Sequence, residues 1–150
     1  MSDEKPPGNL LLNFPADGHR IGARWNYLSQ IEGPDDVGTT FGLISLKENW
    51  IAVDGERARH IRSKLLHRNM AYGNERMDSS LASEVAKTFL DTFPDDASFF
   101  TNGTWDEEPQ TTGATTFGPQ WSPATSATFD GGIIVCSKTK IGIFWIEDED

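Results

Sequence analysis

The stretch that decides the fold is Gly132-Ile-Ile-Val-Cys-Ser137, followed by Lys138-Thr-Lys140 and Ile141-Gly-Ile-Phe-Trp-Ile146. Aliphatic, β-branched and aromatic residues fill both runs and a short polar segment separates them, which predicts two antiparallel strands joined by a turn. Ile141, Ile143 and Trp145 alternate with Gly142, Phe144 and Ile146, so both faces of the second strand are apolar. Neither face suits water, and such a strand belongs at the centre of a sheet covered on both sides. The upstream sequence must then supply the cover.

Two helices are expected in the middle of the chain. Between Gly55 and Met70, Ala58, Ile61 and Leu65 share one side at helical spacing, Leu66 lies at its edge, and Asp54 is placed to cap the first turn. From about Ser80 to Asp91, Leu81, Val85, Phe89 and Phe93 recur every four residues, and Pro94 stops the pattern. Nearer the start, Ile21, Ala23, Trp25, Tyr27 and Ile31 alternate with Arg24, Asn26, Gln30 and Glu32, the period of a half-buried strand. Leu28 breaks that period, and a helix from Ala23 to Ile31 would also align Trp25 and Leu28. Gly33, Pro34, Asp35 and Asp36 then predict a turn, and the apolar runs Phe41 to Leu46 and Trp50 to Val53 predict a hairpin closed by Lys47, Glu48 and Asn49. With Leu10 to Phe14, this zone is expected to form an antiparallel meander.

The expected fold is a single α+β domain, a mainly antiparallel sheet packed by two or three helices with the C-terminal hairpin central. A chain of 150 residues hides roughly 68–70% of its unfolded surface, enough for one core without disulfide or metal staples. Residues 1–8, polar and Pro-rich, are expected to be disordered, and residues 9–150 to form the domain. Residues 101–128 hold eight threonines, three prolines and three glycines without a sustained period, which predicts a long surface loop. Loops of that length in compact domains are uncommon and often functional.

Charge narrows the function. The chain carries 23 acidic and 13 basic side chains, a formal charge of -10. Phosphate is repelled, so broad binding to nucleic acid or to an anionic membrane is disfavoured. No apolar run approaches the ~20 residues of a membrane span, no basic region leads into an apolar stretch at the N-terminus, and a cytoplasmic location is the expectation. The single cysteine, Cys136, permits no internal disulfide and fits a reducing compartment. Nucleophilic and metal chemistry find little support. Cys136 lies in an apolar strand, where a thiol is normally inert, and neither a Gly-x-Ser-x-Gly elbow nor a Gly-x-x-x-x-Gly-Lys loop occurs. His60 and His67 are seven residues apart on one predicted helix, about 10.5 Å along its axis, too far to grip one ion, and His19 is remote. No cofactor is implied. No Asp-x-Asp-x-Asp-Gly loop supports a calcium site. Arg57, Lys64 and Arg68 form a basic stripe, with Arg59 and Arg62 on other sides, but no aromatics interleave with them as in single-strand binders, and pairing with carboxylates of the same chain is the simpler account.

The asymmetry of the charge is more informative. Residues 1–90 hold 12 acids and 11 bases, whereas residues 91–150 hold 11 acids and 2 bases. The excess lies at Asp95 and Asp96, at Asp106, Glu107 and Glu108, and at Glu147, Asp148, Glu149 and Asp150. With Trp105 or Trp121 exposed in the long loop, these residues are expected to form an acidic docking face for a basic protein, the charges speeding association and a buried aromatic holding the complex. A charge reversal at Asp106 and Glu107 is then expected to slow binding and leave folding intact.

One family enters at the C-terminus. Phe129-Asp-Gly-Gly-Ile-Ile-Val135, a short turn, and Ile143-Phe-Trp-Ile-Glu-Asp-Glu-Asp150 resemble the closing hairpin of the small bacterial immunity proteins paired with contact-dependent growth inhibition toxins. The resemblance spans residues 129–150 and implies a cytoplasmic, non-enzymatic α+β protein that binds its toxin's C-terminal domain and blocks the active site or substrate groove. Many such toxins are nucleases with basic grooves, which suits an acidic binder. Interfaces vary between pairs in that family, so no binding residue carries over. Two alternatives remain at this level: a small enzyme built on a carboxylate pair, and an acidic DNA mimic.

Overall fold

The computed structural model describes residues 9–12, 20–26, 33–70, 72–107, 110–138 and 140–148. Along the chain these form β1 (Asn9–Leu12), β2 (Arg20–Asn26), α1 (Pro34–Thr40), β3 (Ile51–Val53), α2 (Gly55–His67), α3 (Ser79–Leu90), β4 (Ser98–Thr101), β5 (Gln110–Thr112), β6 (Thr115–Phe117), β7 (Phe129–Cys136) and β8 (Ile141–Asp148). Six strands make one antiparallel sheet in the order β1-β2-β8-β7-β4-β3, and β5-β6 is a separate hairpin. The fold is the expected α+β class, with the C-terminal hairpin central.

The two-sided apolarity of β7 and β8 has a direct structural counterpart. Ile133, Val135, Phe144 and Ile146 pack with Ala58, Ile61, Leu65 and Leu66 of α2 and Ala82 and Phe89 of α3. Ile134, Ile141, Ile143 and Trp145 face the other way, against Val37 of α1, Leu43, Leu46, Trp50 and Ala124. Each fully buried aliphatic or aromatic side chain contributes about 1.5–3 kcal/mol of transfer free energy, so the hairpin anchors both halves of the core. Its register pairs Ile133 with Phe144 and Ile134 with Ile143. Gly132 is demanded by that pairing, because a Cβ there would run into the Phe144 carbonyl oxygen and lie 2.9 Å from the Trp145 Cα.

Several elements depart from the sequence expectations. Gly33 to Asp36 opens a helix instead of closing a turn: Pro34 occupies the first helical turn and Asp35 and Asp36 complement its positive end. Phe41 to Leu46 is not a strand. Gly42 takes a positive φ of 91°, Leu43 N–H donates to Gly38 O at 2.9 Å and Ile44 N–H to Ala124 O at 2.8 Å, so the segment folds back over the sheet. Asp35 holds this turn, accepting from Ser45 Oγ, from Leu46 N at 2.9 Å and from Trp50 Nε1 at 3.1 Å. The expected meander is also split, since β1 and β2 lie on one side of the central hairpin and β3 on the opposite edge beyond β4. The strand pattern of residues 21–31 is met by β2 as far as Asn26; its continuation, Phe14, His19 and residues 1–8 lie outside the described residues.

Asp54 caps α2 as expected, accepting from Arg57 N at 2.8 Å. On α3 the buried side is Ala82, Ala86 and Phe89, while Leu81 is 49% exposed and Val85 half-buried. Alanine at two turn positions lets α3 approach α2 closely, and that contact selects the face. The helix ends at Leu90, four residues before Pro94.

Residues 101–128 are not a simple surface excursion. Both ends are bound into the sheet by Asp130, which is fully buried. Its carboxylate accepts from Ala124 N at 3.0 Å, Thr125 N at 3.1 Å, Thr125 Oγ1 at 2.9 Å and Asn102 Nδ2 at 3.2 Å. Between the ends, Gly113 with φ 63° turns the β5-β6 hairpin.

Candidate functional site

A groove of about 610 Å3 opens where the start of α2, the end of α3 and β4 meet. The first turn of α2 presents Glu56 and Arg59, the last turn of α3 presents Lys87 with Asp91 just beyond it, and the turn into β4 presents Asp95. Leu90, Phe93, Pro94, Ala97 and Phe99 line it between these charges. Two of the carboxylates are engaged by local cations: Arg59 Nη2 lies 3.5 Å from Glu56, and Lys87 Nζ donates to Asp91 at 2.9 Å. Both pairs are well exposed and of the kind that contributes only ~0.2–1 kcal/mol. An incoming group can displace them at little cost.

Acidic groups surround the same end of α2. Arg57, next to Glu56, forms a bidentate pair with Asp106 through Nε at 2.9 Å and Nη2 at 3.2 Å. That hydrogen bond holds the Asp106 carboxyl below its ordinary range and raises Arg57, with Glu107 and Asp54 adding to the field on the guanidinium. Asp54, Glu56, Asp91, Asp95 and Glu107 are all exposed.

The expected docking residues therefore separate. Asp95, Asp96 and Glu107 are exposed, Asp96 accepting from Lys138 N at 3.1 Å. Asp106 is largely spent on Arg57, so reversing its charge would break an internal pair as well as alter the surface. Trp105, expected to be exposed, is 7% exposed: it lies over Gly131, where a Cβ would come within 2.6 Å of the indole, and its Nε1 donates to Asn102 Oδ1 at 3.0 Å. Trp121 is half-buried between Trp105 and Phe129, with ring centroids 5.2 and 5.4 Å away. Glu147 is half-buried on β8. Asp148 is not a surface residue at all; it is fully buried, takes Arg76 Nη2 at 2.8 and 2.6 Å and accepts from Met70 N at 2.8 Å. Glu108, Glu149 and Asp150 lie outside the described residues.

The basic stripe stays largely at the surface, with Lys64 and Arg68 exposed and Arg57 paired with Asp106, whereas Arg62, on another side of α2, is internal. Arg62 is 1% exposed, with its guanidinium 4.4 Å from the Phe89 ring centre and 4.1 Å from that of Phe144. Its Nη1 donates to Val85 O at 2.6 Å, and burial pulls its pKa down to about 9. The groove itself was missed in the sequence because its residues come from three separate elements; Asp95 was the one part of it that the charge pattern marked. His67 Nδ1 donates to Met77 O at 2.8 Å, a structural bond, and His60 is exposed. Cys136 is half-buried, its thiol pushed up to about 11 by burial.

Among the described residues no group of three or more His, Cys, Asp or Glu could hold a metal ion, and no helix is long and apolar enough to cross a membrane. No family model, curated protein or solved structure matches the chain.

Proposed function

We propose that this is a non-enzymatic immunity protein of the cytoplasm, which binds a basic toxin domain, such as a nuclease, and neutralises it by occlusion. One observation carries the reading: exposed carboxylates from three separate segments, Asp54 with Glu56, Asp91 with Asp95, and Glu107, gather around the first turn of α2 beside the groove. A field of that sign steers a cationic surface into contact and repels competing anionic partners. The resemblance of the C-terminal hairpin to immunity proteins supplies the class of partner.

The test is co-expression with the product of the neighbouring reading frame, followed by co-purification. The proposal expects a stoichiometric complex and restored growth of cells producing the toxic domain. A neighbour that is neither toxic nor bound would remove the reading.

A further inference from the structure

We propose that α3 is a strap that opens from α2 as a unit while the sheet stays folded, and that the Arg62 guanidinium beneath it sets how often it opens. Arg62 is 1% exposed. Its Nη1 donates to Val85 O of α3, its Nε has no hydrogen-bond partner, and no carboxylate among the described residues pairs with it. Burial alone lowers its pKa, without a charged neighbour to offset it. The Phe89 and Phe144 ring centres, 4.4 and 4.1 Å away, make up only part of the lost hydration. Arg76 is the internal contrast, a buried guanidinium with the Asp148 carboxylate at 2.6 Å.

The apolar seat of α3 is modest by comparison. The helix packs chiefly on α2, and its buried residues are Ala82, Ala86 and Phe89, of which only the last is large. Val85 and Leu90 are half-buried and Leu81 is exposed. The segment is tied at both ends. Before it, Arg76 is paired with Asp148 and Met77 O accepts from His67 Nδ1; after it, Thr92 O accepts from Lys140 Nζ at 2.7 Å. Residues 78–91 can therefore leave and return without disturbing the strands. Once off α2, a 12-residue helix is too short to persist in water, so its amides become exchangeable together. Opening hydrates Arg62 and removes the wall that Lys87, Leu90 and Asp91 give the groove. The groove is thus complete only while the strap is closed.

Hydrogen–deuterium exchange of the isotopically labelled full chain, followed by NMR at neutral pH, is the test. In the wild type the Ala82, Val85, Ala86 and Phe89 amides are expected to share one opening constant, at least about 100-fold larger than that of the Ile133, Ile134, Phe144 and Ile146 amides. Arg62→Met keeps an unbranched stem and removes the charge. It should lower the α3 opening constant about tenfold relative to that of β7 and β8, because an apolar side chain in place of an unpaired buried charge favours the closed state. Arg62→Lys keeps the charge but loses the flat guanidinium against the rings, and should raise the constant. Exchange of the α3 amides only with global unfolding of the strands would overturn the proposal, as would protection graded inward from the helix ends, which is ordinary fraying. An α3 opening constant unchanged or raised in Arg62→Met, or failure of that variant to fold, would also overturn it, since the charge would then be holding the helix in place.

Discussion

Replacing Asp148 by Asn separates a residue of the fold from a residue of the interface. The Asp148 carboxylate is fully buried, its partner Arg76 is 4% exposed, and the pair joins the segments after α2 to the last residue of β8. In the wild type both carboxylate oxygens accept from Arg76 Nη2, and Oδ2 also accepts from Met70 N–H. Asparagine keeps one acceptor oxygen and turns an amide donor toward either the guanidinium or the Met70 N–H, which leaves a buried cation without its counter-charge. Removing one partner of such a pair costs about 3–5 kcal/mol. At about 2–4 °C per kcal/mol for a chain of this size, Tm should fall by about 6–20 °C. Urea unfolding followed by tryptophan fluorescence gives the same quantity as a shifted midpoint at unchanged slope. The double variant Arg76→Met/Asp148→Leu removes both charges, and most of the loss should return, because apolar replacement of both partners of a buried pair is often near neutral. A loss below about 0.5 kcal/mol in Asp148→Asn, the level of ordinary surface substitutions, would refute the reasoning. Full additivity in the double variant would do the same.

Three further outcomes follow from the packing and the titrating groups. Gly132→Ala should abolish soluble folded protein or cost upwards of about 4 kcal/mol, since the added methyl meets the backbone of β8, which cannot move aside as a side chain can; a dispersed amide spectrum with near-native stability would contradict it. Asp35 is held at about 2, below the ordinary 3.8, first by the Ser45 hydroxyl and then by Trp50 and the Lys47 and Leu46 amides. A lowered folded-state pKa stabilises above the unfolded value and the gain is lost as pH falls through the folded one, so Asp35→Asn should be less stable than wild type at neutral pH, with the gap closing between pH 3.8 and about 2. A pH-independent gap in parallel acid melts would count against this. Cys136, at about 11 against a reference of 9.0, should react with iodoacetamide at neutral pH about 100-fold more slowly than an exposed thiol, because the thiolate is the nucleophile; labelling at the rate of a free cysteine would show that the thiol is not buried as described.

The parts of the fold visible in the sequence are those whose cause is local. The β7-β8 hairpin announced both its strands and its central place because Ile133 to Val135 and Ile141 to Ile146 carry apolar groups on both faces. Asp54 and the Ala58, Ile61, Leu65 stripe did the same for α2. α1 was hidden because Gly33-Pro34-Asp35-Asp36 suits a turn as well as a helix start, and seven residues show too little period to decide. On α3, Leu81 outweighed Ala82 and Ala86 in any hydrophobic pattern, yet close approach to α2 favours the smaller side chains. The site was harder to see. Asp148 and Arg76 are 72 positions apart, and Asn102 and Asp130 are 28 apart, so no local signal marks these carboxylates as internal. A run of acids at the chain's end resembles a solvated surface whichever of its members the sheet buries. Trp105 was misread for a related reason, since its seat is made by Gly131 on a distant strand.

The central claim is that the acidic end around α2 captures a basic toxin domain. The most direct measurement is the association rate of this protein with the purified product of the neighbouring reading frame, taken across a range of salt concentrations for the wild type and for Asp95→Lys/Glu107→Lys. These two positions are exposed, so the variant should fold with wild-type stability. The account predicts an association rate that falls steeply with salt in the wild type, and a variant that is slower at low salt with a flatter dependence. Identical rates and salt slopes in the two proteins would place the interface elsewhere and contradict the claim.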